Sequence, residues 1–305
     1  MPRKSKIGEC SIVTASHRKR KTERAGLGCA QKLESVQQNM LLCQMFGGNM
    51  KKFLALALAV LTVFSFISCS KKDSKQFVIG LDDSFPPLGF RNENNEIVGY
   101  DVDLAREVAK RIGKEFVAQP INWSAKEQEL ATGKIDCIWN GFTMTPERCE
   151  AMAFTKAYLK NAQVVVVKKS SGVKTLADLN GKTVGVQAES SAMDAINDTP
   201  DFKDSLKKIV EFSENVTALN DLEIGNVDAV VLDLVVADYM ITQGNRPLTI
   251  LEESLSPEEY GIGFAKNNAE LRDLVQKTLE EMEKDGTVAE ISNKWFGKNL
   301  SVIGK

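Results

Sequence analysis

From Gln76 onward the apolar positions fall into short unbroken runs separated by amphipathic stretches. QFVIGLDD carries its apolar residues in one run, as a strand covered on both faces requires. A Pro-rich loop, SFPPLGF, and a polar hairpin-like excursion, RNENNEIVG, lead to YDVDLAREVAKRIG. There Leu104, Val108 and Ile112 recur every four residues, and Gly113 ends the predicted helix. KEFVAQPI predicts a second strand. Ser124 and Glu127 have the spacing of a capping box for the helix SAKEQELATG, which Gly133 closes. IDCIWN predicts a third strand, and a βαβαβ order favours a parallel sheet.

The β-branched run NAQVVVVKKS separates this unit from a similar second one. TLADLNGKTVGVQ predicts a short helix, an Asn180-Gly181 turn and a strand. Helices follow in SSAMDAIND, NVTALNDLEIGN and LVVADYMITQGN, with strands in KKIVEFS, VDAVVLD and PLTIL. EYGIGFAK predicts a late strand, NAELRDLVQKTLEEMEKDG an amphipathic helix, and TVAEISNKWFG packs last. Two α/β units in series, bracketed by AQVVVVK and YGIGFAK, predict two lobes joined by two crossing strands. The final helices are expected to return to the first lobe.

The front of the chain changes the picture of where the protein works. Met50-Lys51-Lys52 precedes FLALALAVLTVFSFIS and Cys69, the basic, apolar and small-residue order of a secretory signal. The apolar run falls short of the ~20 residues of a permanent span. Ser68-Cys69-Ser70 resembles a bacterial lipoprotein cleavage site, with Phe66 where that pattern usually has Leu. That resemblance implies lipidation of Cys69 and a tether over 69–76; the other reading is an uncleaved anchor over 50–68. Residues 1–49 are basic and without periodic pattern, and are expected to be a mis-called extension or a disordered tail.

Charge and cysteine usage then exclude several classes. The chain has 39 Lys and Arg and 41 Asp and Glu; the first 68 residues hold 11 and 3 of these. That leaves 28 basic against 38 acidic residues, a net charge of −10, in the exported body. Such a body is a poor nucleic-acid binder. It contains no His, because the single His of the chain is His17, which weakens His-based catalysis or metal binding. Cys137 and Cys149 read as two structural thiols or, in an exported compartment, a disulfide.

The polar equipment sits after the strands, where open α/β sheets bind ligands. Asp82 and Phe85 follow the first strand and Trp123 the second. Asn140, Gly141, Thr143 and Arg148 follow the third, in NGFTMTPER. Ser190 and Ser191 start a helix beyond Gln187, and Asp233 ends VDAVVLD. This set suits a free amino acid. Arg148 and the amides at Ser191 would take an α-carboxylate; Gly141, Thr143 and Asp233 would accept from an α-ammonium. Phe85 and Trp123 would flank a side chain. Each residue also has a plain structural reading: Arg148 in a surface ion pair with Glu147 or Glu150, Asp233 and the serines as helix caps, the aromatics as core. The sequence carries no metal cluster, phosphate loop or Ser/His or Cys/His pair, so neither metal nor cofactor is expected.

FVIGLDDSFPPLGF, IVGYDVDLAREVAKRIG, LATGKIDCIWNGFTMTPER and GNVDAVVLD together resemble the polar amino-acid solute-binding proteins of bacterial ABC importers, in family order from about Phe77 to Phe296. The resemblance implies a type II periplasmic-binding-protein-like fold. Lobe 1 would comprise 77–163 and 258–305, and lobe 2 164–257. It also implies a monomer that closes on one polar or basic L-amino acid and docks on a membrane permease. By position, it adds Asp101, beside Asp82, near the side-chain tip, and Gln187 as a side-chain or carboxylate contact. Asn140 stands where a small residue often precedes the Gly, and Trp123 where Phe is frequent. The alternatives are a dehydratase-like enzyme on the same scaffold and a ligand-sensing domain.

Overall fold

The computed structural model describes residues 75–305. The expectations for 1–49, for the signal over 50–68 and for Cys69 lie outside the described residues.

Strand β1 (Gln76–Leu81) is followed by a small antiparallel sheet of β2 (Ser84–Phe85), β3 (Gly89–Arg91) and β4 (Ile97–Val98). Helix α1 (Tyr100–Arg111) buries Leu104, Ala105 and Val108 on one face and exposes Arg106 and Lys110 on the other. Burial of Leu104 and of Val108 contributes roughly 1.5–3 kcal/mol each. Strand β5 (Glu115–Pro120), helix α2 (Lys126–Ala131) and strand β6 (Cys137–Thr143) complete the unit. β1 lies between β5 and β6, parallel to both, as expected.

The start of α2 differs from the capping box at Ser124 and Glu127. The chain makes a 3-10 turn over Trp123–Ala125, and the Asn122 side chain accepts from the Ser124 amide at 3.0 Å. Asn122, two positions before Ser124, thus supplies the capping oxygen. Beyond β6, Thr145 caps α3 (Pro146–Ala151), accepting from the Arg148 amide at 3.2 Å. Cys137 is buried in β6 and Cys149 exposed on α3, and the two are not bonded to each other.

After β7 (Met152–Phe154) and β8 (Leu159–Lys168), the second unit contains β9 (Thr183–Gln187), helices α4 (Ser191–Asn197) and α5 (Pro200–Ser205) and β10 (Lys208–Phe212). It continues through α6 (Asn215–Ile224), β11 (Ala229–Asp233) and α7 (Leu234–Gln243). α5 was not anticipated, and Pro200 sits at its start, where a proline suits a helix. PLTIL and EYGIGFAK, expected as separate strands, belong to one strand, β12 (Leu248–Ala265). Helices α8 (Ala269–Lys284) and α9 (Thr287–Phe296) end the described elements, and both pack on the core of α1.

The main sheet runs β10-β9-β11-β8-β12-β6-β1-β5, with β7 also on β12. β10-β9-β11 and β6-β1-β5 are two parallel triplets. Between them β8 and β12 run antiparallel to each other, through shifts of register between Ile250 and Ser256. The run Val164–Val167 explains why β8 is central. Val164 and Val166 enter one core cluster and Val165 and Val167 another, so both faces of the strand are covered.

Candidate functional site

The carboxyl ends of β1, β6, β9 and β11 converge. Eleven of the twelve ligand-site residues expected from sequence line one cavity there: Asp82, Phe85, Trp123, Asn140, Gly141, Thr143, Arg148, Gln187, Ser190, Ser191 and Asp233. Asp101 is not among them. It is fully buried behind β6, where its carboxylate accepts from the Gly141 amide and the Tyr158 hydroxyl, each at 2.8 Å. Its position therefore supports the cavity wall. Burial pushes the Asp101 carboxyl up to about 7, against the hydrogen bonds that favour its charged form.

Gly141 has a backbone φ of 58°, and a Cβ there would lie 2.7 Å from Leu88 and 2.9 Å from Phe85. The glycine is thus required by the turn of β6 and by close packing on its far side. Asn140 accepts from the Asp82 amide at 3.0 Å. The Asp82 carboxylate in turn accepts from the Ser84 amide and hydroxyl.

The two halves of the sheet meet across the cavity. Gln187 donates to Asp82 at 2.8 Å, and the Thr143 and Ser191 hydroxyls lie 3.0 Å apart. Arg148 donates to the Thr143 carbonyl at 3.2 Å, makes a longer contact of 3.5 Å with the Glu189 carbonyl, and stacks its guanidinium over Phe142. Among the described residues no carboxylate lies within ion-pair distance of this nearly buried cation. Burial pushes Arg148 below its usual pKa, with Asp194, Glu127, Glu258 and Asp233 opposing from a distance.

Ser190, Ser191 and Asp233 make no side-chain caps. Ser190 donates to the Gln187 carbonyl at 2.7 Å. Asp233 stands at the start of α7 but turns its carboxylate inward. It accepts from Asn161 at 2.8 Å, from Gln163 at 2.9 Å and from the Tyr260 hydroxyl. The same two amides also donate to Glu258, which receives a third bond from Thr143 at 3.0 Å. Burial and the neighbouring Glu258 charge push Asp233 up to about 7.

Sequence reasoning missed Glu258, Asn161, Gln163 and Tyr260. All four lie inside β8 and β12, where nothing in the local pattern separates a site residue from a structural one. It also missed Lys126, a buried cation beside the cavity whose pKa burial lowers to about 8. The cavity is thus lined by one guanidinium, Arg148, and two carboxylates, Asp82 and Asp233, together with neutral hydrogen-bonding groups.

The described region has close relatives. The L-cystine-binding protein TcyJ of Escherichia coli (strain K12) is 29% identical over 232 residues, 75% of this chain and 86% of that protein. Tv2483, solved bound to L-arginine, is 36% identical with a TM-score of 0.73, and the match covers 76% of this chain and 94% of that one. An ABC uptake transporter substrate binding protein from Streptococcus pneumoniae, solved with bound histidine, is 36% identical with a TM-score of 0.73. That match covers 75% of this chain and 95% of the other. Residues 77–298 match the bacterial extracellular solute-binding proteins, family 3. By that match and by its type II periplasmic-binding-protein-like fold, the chain belongs to the bacterial extracellular solute-binding proteins, family 3.

Proposed function

We propose that this chain is the receptor of an amino-acid ABC importer, and that two lobes close around one polar or basic L-amino acid and deliver it to a membrane permease. One observation carries the reading: a buried guanidinium and a buried carboxylate, neither with a counter-ion among the described residues, line the same cavity. Buried charges are costly unless paired. A zwitterion neutralises both, its α-carboxylate on Arg148 and the amides near Ser191, its α-ammonium on Asp233, Thr143 and the Gly141 carbonyl. Phe85 and Trp123 flank the side chain. Asp82, Gln187, Asn140 and Ser190 contact its polar end or the backbone of the ligand. The names of relatives that carry L-cystine, L-arginine or histidine point to the same ligand class.

The lobes divide near 163/164 and 257/258, and closure shifts the population toward the form the permease recognises. No covalent step is assigned, so the chain acts as a binder, as a monomer held to the membrane through a lipidated Cys69. The signal-like run before that Cys supports the export of the body.

Titration calorimetry with the twenty L-amino acids and L-cystine tests the site. At least one tight ligand is expected, and Arg148→Ala should abolish its binding. No ligand among the twenty-one, or unchanged affinity in the variant, would sink the reading. Mass spectrometry of the membrane fraction tests the anchor, with an N-terminus other than a lipidated Cys69 counting against it.

A further inference from the structure

We infer that Lys126 is a positioning residue for ligand binding: it latches the two halves of the closed site through the Glu189 carbonyl and touches no ligand itself. The inference rests on the amino-acid reading of the cavity.

Lys126 begins α2, yet only 3% of it is exposed. Lysine is rarely so buried without a partner. Its ammonium lies 5.2 Å from the centre of the Trp123 ring and donates to the Glu189 carbonyl at 2.9 Å, across from one half of the sheet to the other. Among the described residues no carboxylate stands within ion-pair distance of it. A carbonyl of the opposite half is therefore its strong acceptor.

Glu189 has a backbone φ of 55°, a left-handed conformation that residues other than Gly, Asn and Asp adopt uncommonly. Such strain persists where surrounding contacts over-determine it. Here the turn presents the Glu189 carbonyl to two cations, Lys126 and Arg148. The same turn carries Ser190 and Ser191, which line the cavity. Lys126 does not line it, so its effect on a ligand passes through this turn.

The two cations also repel each other across that shared carbonyl. An anion seated on Arg148 reduces the repulsion and lets the Lys126 bond reach full strength. Binding of the ligand carboxylate is thereby linked to closure. Loss of the latch should then speed release much more than it slows entry.

Stopped-flow fluorescence on the full chain tests this, using the tightest of the twenty L-amino acids and L-cystine as probe. Lys126→Met should raise the dissociation rate about tenfold and change the association rate less than twofold. Lys126→Gln keeps a polar head in the slot, guards against a misfolded Met variant, and should raise the rate in the same direction. Lys134→Met, at an exposed lysine paired with Glu129, is the control and should match wild type. A dissociation rate within twofold of wild type in a folded Lys126 variant would overturn the latch while leaving the site reading intact. Equal losses in both rates would also overturn it. Failure of wild type to bind any of the probes would overturn both.

Discussion

The side-chain amide of Gln187, at the end of β9, donates to the Asp82 carboxylate, just beyond β1, at 2.8 Å across the cavity. The Ser213 carbonyl and the Asn215 amide fix the orientation of Gln187. Gln187→Glu replaces this attraction with two carboxylates at hydrogen-bond distance, which cannot both ionise cheaply. Ligand affinity should fall at least about tenfold at neutral pH, equal to about 1.4 kcal/mol. Calorimetric titration of wild type and variant side by side checks the loss, and unchanged affinity would contradict it.

Gly141→Ala should destabilise the protein by about 3 kcal/mol, as the sum of left-handed strain and overpacking against Leu88 and Phe85. Urea unfolding measures this directly. A change below about 0.5 kcal/mol would mean that β6 relaxes around the methyl group, contrary to the packing described.

Asp101 gives a pH dependence with a defined sign. Its carboxyl is raised to about 7 in the folded chain, so between the usual carboxylate range near 4 and about 7 the native state holds a proton that the unfolded state has lost. Stability from this group is therefore present below about pH 4 and is lost as pH rises to about 7, by up to about 4 kcal/mol. Asp101→Asn keeps an acceptor for Gly141 and Tyr158 and removes that slope. Asp233 titrates in the same window and persists in the variant. The difference between wild-type and variant urea midpoints across pH 4–8 thus isolates Asp101.

Burial raises Asp233, and Glu258 adds charge repulsion across the shared Asn161 and Gln163 amides. Glu258→Gln retains an acceptor for Thr143 while removing the charge. The variant should gain stability over wild type, by about 1 kcal/mol, at pH 8 and much less at pH 5. Paired denaturation curves at the two values measure it, and a larger gain at pH 5 would contradict the assignment of cause.

The sequence made most strand ends legible because unbroken apolar runs such as VVVV and AVVL have only one use in an α/β protein. NGFTMTPER is the clearest case: its Thr145 cap and Pro146 locate α3, and Arg148 follows by one turn. Asp101 was harder. Position along α1 places it near the site but cannot tell which side of β6 it faces, and it faces the core. Glu258 sits in an exposed-looking stretch, EESLSPEEY, whose polarity hides a strand. The strand character becomes visible only once Tyr260 and Leu159 are seen to pair. Lys126 was invisible for the opposite reason. A lysine at a helix start is ordinary, and its burial depends on Glu189, 63 residues away.

The shared strands have a consequence for how this protein can be divided. β12 supplies Tyr260–Phe264 to β6 and Leu248–Ile250 to β8, so the first α/β unit depends on segments from the far end of the chain. A fragment ending after β11 would leave β6 with one flank unpaired, an open edge of buried apolar strand that invites pairing with other chains. The first half is therefore not a contiguous module, whereas the second is one stretch of chain tied at both ends to the crossing strands β8 and β12. Any functional chimera of this protein needs two junctions, one in each crossing strand.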